Sequence, residues 1–459
     1  MSEIVNLTAE EAAQKYPGSS EFVHLHNHTL FSLLDGVAQP ADYFKGCAER
    51  KWPAFAITEH GVLSSIPDAY LAAKENKVKY IVGCEFYLND FESYRKQLVA
   101  SGIKIGELKV QDFELSQRVT RNRHLTVLAK NYIGYENILK INQIAWSEGF
   151  YYKPRIWFDL LAAHKEGLIV TSGCLNGPVC HELRKGNLVN KDYITGALTY
   201  VDMFKKVFGE DFYIELQMPG IEGDIEVFRK LMVIAENKKI KPVLCNDCHY
   251  ISRKDYQLQK IMMAIDQDTT VDDPELFHVN SDEQYFKTRH ELRATFFERG
   301  YSAVTTAEMF ELACDTTLEI ADKCQSFKPN LDPKLPKIDG SESRLRQLAE
   351  EGLKKYGFDR DTTQYVMDEK LLTYREQMNI ELERIIEKGF ASYFLITLDL
   401  INASINNGMQ IGPGRGSVGG SLLSYLIGIQ SLDPFKWGTS FNRFLSPSRG
   451  GYMLNVSLK

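Results

Sequence analysis

Three things are scarce in this sequence of 459 residues, and each scarcity excludes a class of protein. Cysteine comes first: eight residues at irregular spacings do not make a disulfide framework, so reduced thiols or metal ligands are expected. Long apolar runs come second. None reaches the roughly 18 residues of a membrane span, and the polar start MSEIVNLTAEEAAQKYPG lacks the basic-then-apolar pattern of a secretion signal. A cytoplasmic protein without a membrane partner is expected. Positive charge comes third: 54 Lys and Arg stand against 61 Asp and Glu, a net charge of −7. There is no whole-molecule basic footprint, so any nucleic-acid contact must be local. Internal repeats and low-complexity tracts are missing too. What remains is ordinary globular composition, 44% hydrophobic, 25% charged and 11% aromatic. At about 150 residues per domain the length suggests about three domains, or one large and one smaller.

Seven short β-rich runs mark the first half: FVHLH (22–26), AFAIT (54–58), KYIVGCEFYL (79–88), LTVLAK (125–130), LIVTSG (168–173), FYIELQ (212–217) and PVLCND (242–247). Helix-like stretches such as ADYFKGCAER, YENILKINQIAW and EVFRKLMVIAENKK lie between them. The alternation predicts an α/β domain with a parallel sheet, either a barrel one unit short of eight or an open doubly wound sheet. After about residue 265 helical sequence dominates, so a metal-binding domain over 1–270 and a second domain over 271–459 are expected. The segment 91–123 delays the fourth strand. With eight basic and four acidic residues over 91–130 it is expected to be a solvated insertion, with a DNA-contacting loop as the alternative.

Residue types that metals favour collect at the strand ends. His26 and His28 close the first strand and Asp35 follows; His60 ends the second; Glu85 lies in the third; His124 opens the fourth; Cys174 ends the fifth; Asp247 and His249 end the seventh. Barrels of this class gather their chemistry at the C-terminal ends of strands, and His124, at the start of its strand, fits that rule least well. A lone histidine on a strand edge is usually a satisfied polar group. Five of ten histidines, with three carboxylates and a thiol, point instead to a site for two or three ions. Imidazole and thiolate suit zinc, and carboxylates can bridge to Mn²⁺ or Mg²⁺. Closely spaced metals suit phosphate-ester cleavage. Alternation puts His24 on the face of His26 and His28 and leaves it a candidate. Cys245, Cys248 and His249 in CNDCH have haem-attachment spacing, but they end a predicted buried strand in a chain without a secretion signal. Cys47, Cys84, Cys180, Cys314 and Cys324 are expected to be buried small hydrophobes.

A second constellation is QIGPGRGSVGGSLLSYLIGI, 410–429. Glycines 412, 414 and 416 would let the backbone approach an anion, Arg415 would grip a phosphate oxygen, and Ser417 would cap the following helix. It matches neither a Walker A loop nor a dinucleotide fingerprint. A plain glycine-rich turn is the alternative.

Together these residues resemble the bacterial family C replicative polymerases, the DNA polymerase III alpha subunits, from about residue 20 to residue 451. HLHNHTLFSLLDG, ITEHG, VGCEFY, TSGC and NDCHY are similar to the motifs of the family's polymerase and histidinol phosphatase (PHP) domain. DTTLEIADKC, IIEKGFASYFLITLDLI, GPGRGSVGGSLLSYLIGI, LDPFKWG and FNRFLSPSR are similar to its palm. The resemblance implies a distorted seven-unit (β/α) PHP barrel followed by a partial polymerase beta-like palm. In some members the barrel binds three metals, Zn or Mn, and acts as a 3′ to 5′ exonuclease. All nine ligand types are present here; Glu59 stands where the family usually has Asp. The resemblance also places Gly414, Arg415, Gly416 and Ser417 against the triphosphate of an incoming deoxynucleotide, with Mg²⁺. It implies DNA primer-template and replisome proteins as partners. The palm carboxylates are expected in a Pro-Asp-x-Asp motif, where this chain has Leu454, Asn455 and Val456. Polymerisation by this chain alone is therefore not expected, unless a second polypeptide completes the palm. Two rival readings are a stand-alone metallophosphoesterase for small phosphate monoesters and a non-catalytic assembly subunit.

Overall fold

The computed structural model describes residues 7–89, 122–185, 192–276, 281–331, 336–414 and 416–445. Nearly all of the basic insertion, Arg415, and the positions of Leu454, Asn455 and Val456 lie outside the described residues. Compact packing divides the chain into Met1–Asn330 and Leu331–Lys459.

The first unit is built on eight strands: β1 (Ala54–Ile57), β2 (Lys79–Leu88), β3 (Arg123–Ala129), β4 (Phe150–Tyr151), β5 (Lys153–Ile156), β6 (Leu168–Thr171), β7 (Phe212–Leu216) and β8 (Pro242–Leu244). They form one mixed sheet in the order β4-β5-β2-β3-β6-β7-β8, with β1 on β2. Six of the seven predicted runs are strands here. The first, 22–26, forms no continuous ladder, yet its extended backbone ties the sheet ends together: Ala56 N donates to His24 O, Cys248 N to His26 O and His28 N to Cys248 O. The short hairpin β4–β5 has no counterpart in the predicted alternation.

One strand corrects the all-parallel expectation. β1, β6, β7 and β8 follow the parallel rule, but β3 runs antiparallel to both β2 and β6, with Tyr87 opposite His124. Antiparallel neighbours need no helical crossover between them.

Alternation along the strands sorts two cores. In β1, Phe55 and Ile57 join the large outer cluster with Tyr43, Phe44 and Phe86, while Ala54 and Ala56 join an inner cluster with Val23, Leu25, Ile81, Leu128, Ile169 and Val243. Ile320, Ala321 and Cys324 of the helix Ala307–Lys323 and its cap complete the inner cluster. Lys79 Nζ, at the start of β2, donates to the Ala321 and Cys324 carbonyls at 2.7 and 3.2 Å, closing that helix's C-terminus. DTTLEIADKC thus belongs to the first unit and not to the palm-like part. Phe286, Leu292, Phe296 and Phe310 likewise pack in the outer cluster. Residues 271–330 therefore fold with the barrel, which moves the division from the expected 270/271 to 330/331.

The second unit is helical, with the hairpin β9 (Tyr365–Met367) and β10 (Lys370–Leu372). Leu345, Ala349 and Leu353 line one face of the helix Ser341–Tyr356 at spacings of four. They pack in one cluster with Met378, Leu382 and Ile385, with Phe394, Leu398 and Ile401, and with Leu422 and Leu423. Among the described residues no helix is long and apolar enough to cross a membrane.

Candidate metal centre

The antiparallel direction of β3 resolves the awkward histidine. Its first residues lie beside the last residues of β2, so His124 reaches the same rim as the residues that follow β1, β6 and β8. Glu85 is the hub. One carboxylate oxygen lies 2.9 Å from His124 Nδ1 and 3.2 Å from His26 Nε2; the other lies 2.5 Å from His60 Nδ1 and 3.6 Å from His28 Nε2. Asp247 Oδ1 is 3.3 Å from His28 Nε2 and 3.5 Å from His26 Nε2. Asp35 Oδ2 is 2.8 Å from His60 Nε2 and 3.2 Å from His249 Nε2. Cys174 Sγ is 3.5 Å from Glu85 Oε1 and 3.6 Å from His124 Nδ1. All nine residues named from the sequence join one cluster.

Three overlapping triads have ligand atoms within 4.8 Å of one another: His28, His60 and His249; His26, His28 and Glu85; His60, Glu85 and His124. The donor chemistry fits a cation. His26 Nε2, His28 Nε2, His60 Nδ1, Glu85 Oε2 and Asp247 Oδ1 are buried without a hydrogen-bond partner, and all five belong to this cluster. Buried polar atoms are normally satisfied, so five of them crowded together without hydrogen-bond geometry suit a cation's coordination shell.

The electrostatics agree. Burial opposes charge on His26, yet the carboxylates of Asp247, Glu215 and Glu85 hold it well above the usual imidazole range. Burial also works against His60 and His249, but Glu85 and Asp35 raise the first to about 10, and Asp35 and Asp247 raise the second to about 9. His28, buried and facing His60 and His249, falls to about 3. Glu85, Asp35 and Asp247 are held below the carboxylate range by the surrounding imidazoles despite their burial. The carboxylates thus draw positive charge into the cluster, which protonated imidazoles or a bound cation can supply.

A supporting layer was not visible in the motifs. Glu215, on β7, meets His26 Nδ1 at 2.7 Å and accepts hydrogen bonds from Thr171 Oγ1 and from Gln217 Nε2, fixing the imidazole so that Nε2 faces the cluster. The signal for it was an acid inside the apolar run FYIEL, all of which is buried. Glu59 accepts from Thr29 N at 3.0 Å, from Thr29 Oγ1 at 2.5 Å and from Ser32 Oγ at 2.5 Å, and so holds the turn leading to Asp35. Gln259 Nε2 donates to Asp35 Oδ1 at 2.8 Å. Asp247 keeps a left-handed backbone, φ 50°, a conformation that aspartate tolerates better than most non-glycine residues.

His24 separates from the cluster. Its Nε2 meets Lys287 O at 2.8 Å, it packs against Phe22, Trp52 and Phe286, and burial lowers its pKa to about 3. Cys248 faces Tyr285 O and His24, and Cys245 lies in the inner core, so CNDCH offers no haem-attachment pair. All eight cysteines are buried and free.

In the second unit the glycine-rich run precedes a short helix, Leu422–Leu426, but the cap differs from the expected one. Ser421, not Ser417, caps it, accepting from Ser424 N; Ser417 lies in the turn Gly416–Gly420. The first amides of the helix are already taken. Buried Glu381 accepts from Leu422 N at 2.9 Å, Leu423 N at 3.0 Å, Ser421 Oγ at 2.8 Å and Gln377 Nε2 at 2.7 Å. Any anion would have to be held by the preceding turn.

Comparison with known proteins agrees with this division of labour. The PHP domain family matches residues 24–219, and the bacterial DNA polymerase III alpha NTPase domain matches 343–452. DNA polymerase III subunit alpha of Aquifex aeolicus is 34% identical over 440 residues, covering 94% of this chain and 35% of its own. The Thermus aquaticus protein of the same name is 32% identical, covering 94% and 37%. The chain spans about a third of the length of these relatives. A solved structure described as a metal-dependent phosphoesterase, from Bifidobacterium adolescentis, overlaps 51% of this chain and 88% of its own at 15% identity and a TM-score of 0.27, too loosely to carry weight. Residues 24–219 thus match the PHP domain and residues 343–452 the bacterial DNA polymerase III alpha NTPase domain, and over 94% of its length the chain is homologous to the N-terminal region of DNA polymerase III alpha subunits.

Proposed function

We propose that His26, His28, Asp35, His60, Glu85, His124, Cys174, Asp247 and His249 hold two or three divalent ions, zinc or manganese, and that the PHP domain hydrolyses phosphate esters, removing nucleotides from the 3′ end of DNA. The observation that carries this reading is the convergence of five orphaned buried ligand atoms on Glu85 and its histidines. Bound divalent ions would activate water and stabilise the leaving oxygen. The chain's own part is positional: Glu85 offers both oxygens to four imidazoles, which suits a bridging carboxylate, while Glu215 and Glu59 fix the His26 ring and the His28 to Asp35 turn. In the overall step, hydroxide from water joins phosphorus as the bond from phosphorus to the preceding nucleotide's 3′-oxygen breaks. That oxygen takes the proton, leaving a shortened strand and a nucleoside 5′-monophosphate.

The second part of the proposal concerns the NTPase domain. Gly414, Arg415, Gly416 and Ser417 are proposed to bind the triphosphate of a deoxynucleotide, with Mg²⁺. DNA primer-template and replisome proteins are its partners, and the cytoplasm its compartment. Family membership supports this reading.

Purified protein is incubated with single-stranded DNA, a 3′-mismatched primer and a phosphate monoester, with Zn²⁺ or Mn²⁺ and then with chelator. Chelator-sensitive loss of 3′ nucleotides is expected. Phosphate release from the monoester with intact DNA would favour the small-substrate reading, and no turnover of any substrate would favour a scaffold.

A further inference from the structure

Beside the metal cluster lies a cleft of about 500 Å³, shared by His60, His124 and Asp35 on one side and by Phe31, Leu33, Tyr87, Trp146, Tyr152 and Lys153 on the other. Its size suits a nucleotide-sized occupant. Three observations make it more than a surface dip. Trp146 is stacked on Phe150 with ring centres 5.3 Å apart and planes at 16°, and its N–H donates to Gly61 O at 2.9 Å, so an aromatic face is fixed next to the residue following His60. Asn142 Nδ2 holds the same carbonyl at 2.8 Å. Tyr152 is 82% exposed at the tip between β4 and β5 and keeps a left-handed backbone, φ 57°. That backbone turns the chain between the two strands and leaves the ring outside the core, free to meet a ligand. Finally, the aromatic wall is continuous with the cluster: the Tyr87 ring is centred 6.3 Å from His60 and 5.4 Å from His124.

Among the described residues outside the cluster, the aromatic rings of Phe31, Tyr87, Trp146 and Tyr152 line the cleft beside one cation, Lys153, whose Nζ sits 5.7 Å over the Tyr87 ring, and one anion, Asp266. Ring faces are therefore the recognition chemistry, and the flat π-system a phosphodiester substrate carries one sugar away from its phosphorus is a nucleobase.

Resting on the hydrolase reading above, we infer that this cleft receives the unstacked base of a single-stranded 3′-terminal nucleotide, with Tyr152 as its stacking platform. Base–aromatic stacking is worth ~1–3 kcal/mol and tolerates any base, so the site selects frayed or unpaired ends without reading sequence.

The test is binding of a single-stranded oligonucleotide with 2-aminopurine as its 3′-terminal base, followed by fluorescence, with Zn²⁺ and separately in chelator. Tyr152→Ala should raise the half-saturating concentration about tenfold, and Tyr152→Phe should restore it. Tyr152→Gly, which suits the left-handed backbone, should bind as weakly as the alanine variant, separating loss of the ring from loss of the fold. An oligonucleotide with an abasic 3′ end should bind wild type as weakly as the normal end binds Tyr152→Ala, with no further loss in the variant. Equal binding of the 2-aminopurine end by wild type and Tyr152→Ala, no binding by wild type, or equal binding of normal and abasic ends would each overturn the inference. Hydrolysis of bis(4-nitrophenyl) phosphate with Mn²⁺, which carries no nucleobase, reports on the hydrolase reading separately. Its absence would sink that reading while the fluorescence result still decides the platform.

Discussion

Ser32 Oγ donates to Glu59 Oε2 at 2.5 Å, and the same hydroxyl lies 2.9 Å from His28 Nδ1 and 3.2 Å from His60 N. One hydroxyl thus ties a buried acid to two members of the metal cluster. Thr29 N, Thr29 Oγ1 and Ser32 Oγ all donate to the Glu59 carboxylate, so Glu59→Ala leaves three buried donors without their acceptor. Zinc affinity should fall by roughly 10- to 100-fold, read by competition with a chromophoric chelator. Wild-type affinity would remove Glu59 from the supporting layer.

The turn that Glu59 holds closes on Gly36. A Cβ there would stand 2.2 Å from the Thr29 carbonyl oxygen, a backbone atom with no flexible end to swing away. Gly36→Ala should therefore displace Asp35 from between His60 and His249, at a stability cost of about 1–3 kcal/mol. Metal content per chain after dialysis against buffered zinc should drop. Full loading of a folded variant would show that Asp35 is dispensable.

In the NTPase domain, burial pushes the Glu381 carboxyl up from 4.5 to about 7, against the hydrogen bonds from Leu423, Gln377, Leu422 and Ser421. The folded state therefore keeps a proton that the unfolded chain releases. This contribution to stability is complete below pH 4.5 and is lost as pH rises to about 7, an amount on the order of 3 kcal/mol. Urea melts of the second unit's helices should show stability falling across that window, and Glu381→Gln should flatten the slope. A slope that survives the substitution would assign the titration to another group.

Glu283 is buried with Lys287, Arg253 and Arg299, whose charges hold its carboxyl below the ordinary range in spite of burial. Lys287 is itself fully buried and donates to Thr295 Oγ1 at 3.2 Å. Glu283→Gln takes the shared carboxylate from buried Lys287 and from Arg299, while Arg253 keeps Asp282, and stability at pH 7 should drop by about 3–5 kcal/mol. Because Glu283 lies outside the histidine cluster, zinc affinity of the folded variant should stay within twofold. A smaller stability loss would mean that water or rearrangement relieves the cations.

The clustered residues were legible because most are polar residues interrupting an apolar run at a strand end, a pattern that burial makes expensive without a partner. Glu215 was not, since a lone acid in FYIEL carries no motif and its partner His26 lies far away in sequence. Strand direction was equally hidden: hydrophobic pattern reports which face is buried and not which way the chain runs, so His124 looked misplaced until β3 proved antiparallel. The division at residue 270 failed for a related reason. A fading strand pattern marks where strands stop, whereas Ile320, Ala321 and Cys324 show that helices beyond that point still fill the inside of the sheet.

The segment 22–28 joins the ends of the curled sheet with only a few backbone hydrogen bonds. His26 and His28 sit on this segment, while Asp247 and His249 sit on the strand end it meets, more than two hundred residues later in the chain. A cation shared between them is a cross-link spanning that whole distance, and closing so long a loop removes on the order of 5 kcal/mol of freedom from the unfolded chain. Ion loading and barrel closure are then one cooperative event. Losing the ions would open the barrel along this line before the outer helices came apart, exposing Val23, Leu25 and their neighbours to solvent as an early stage of unfolding.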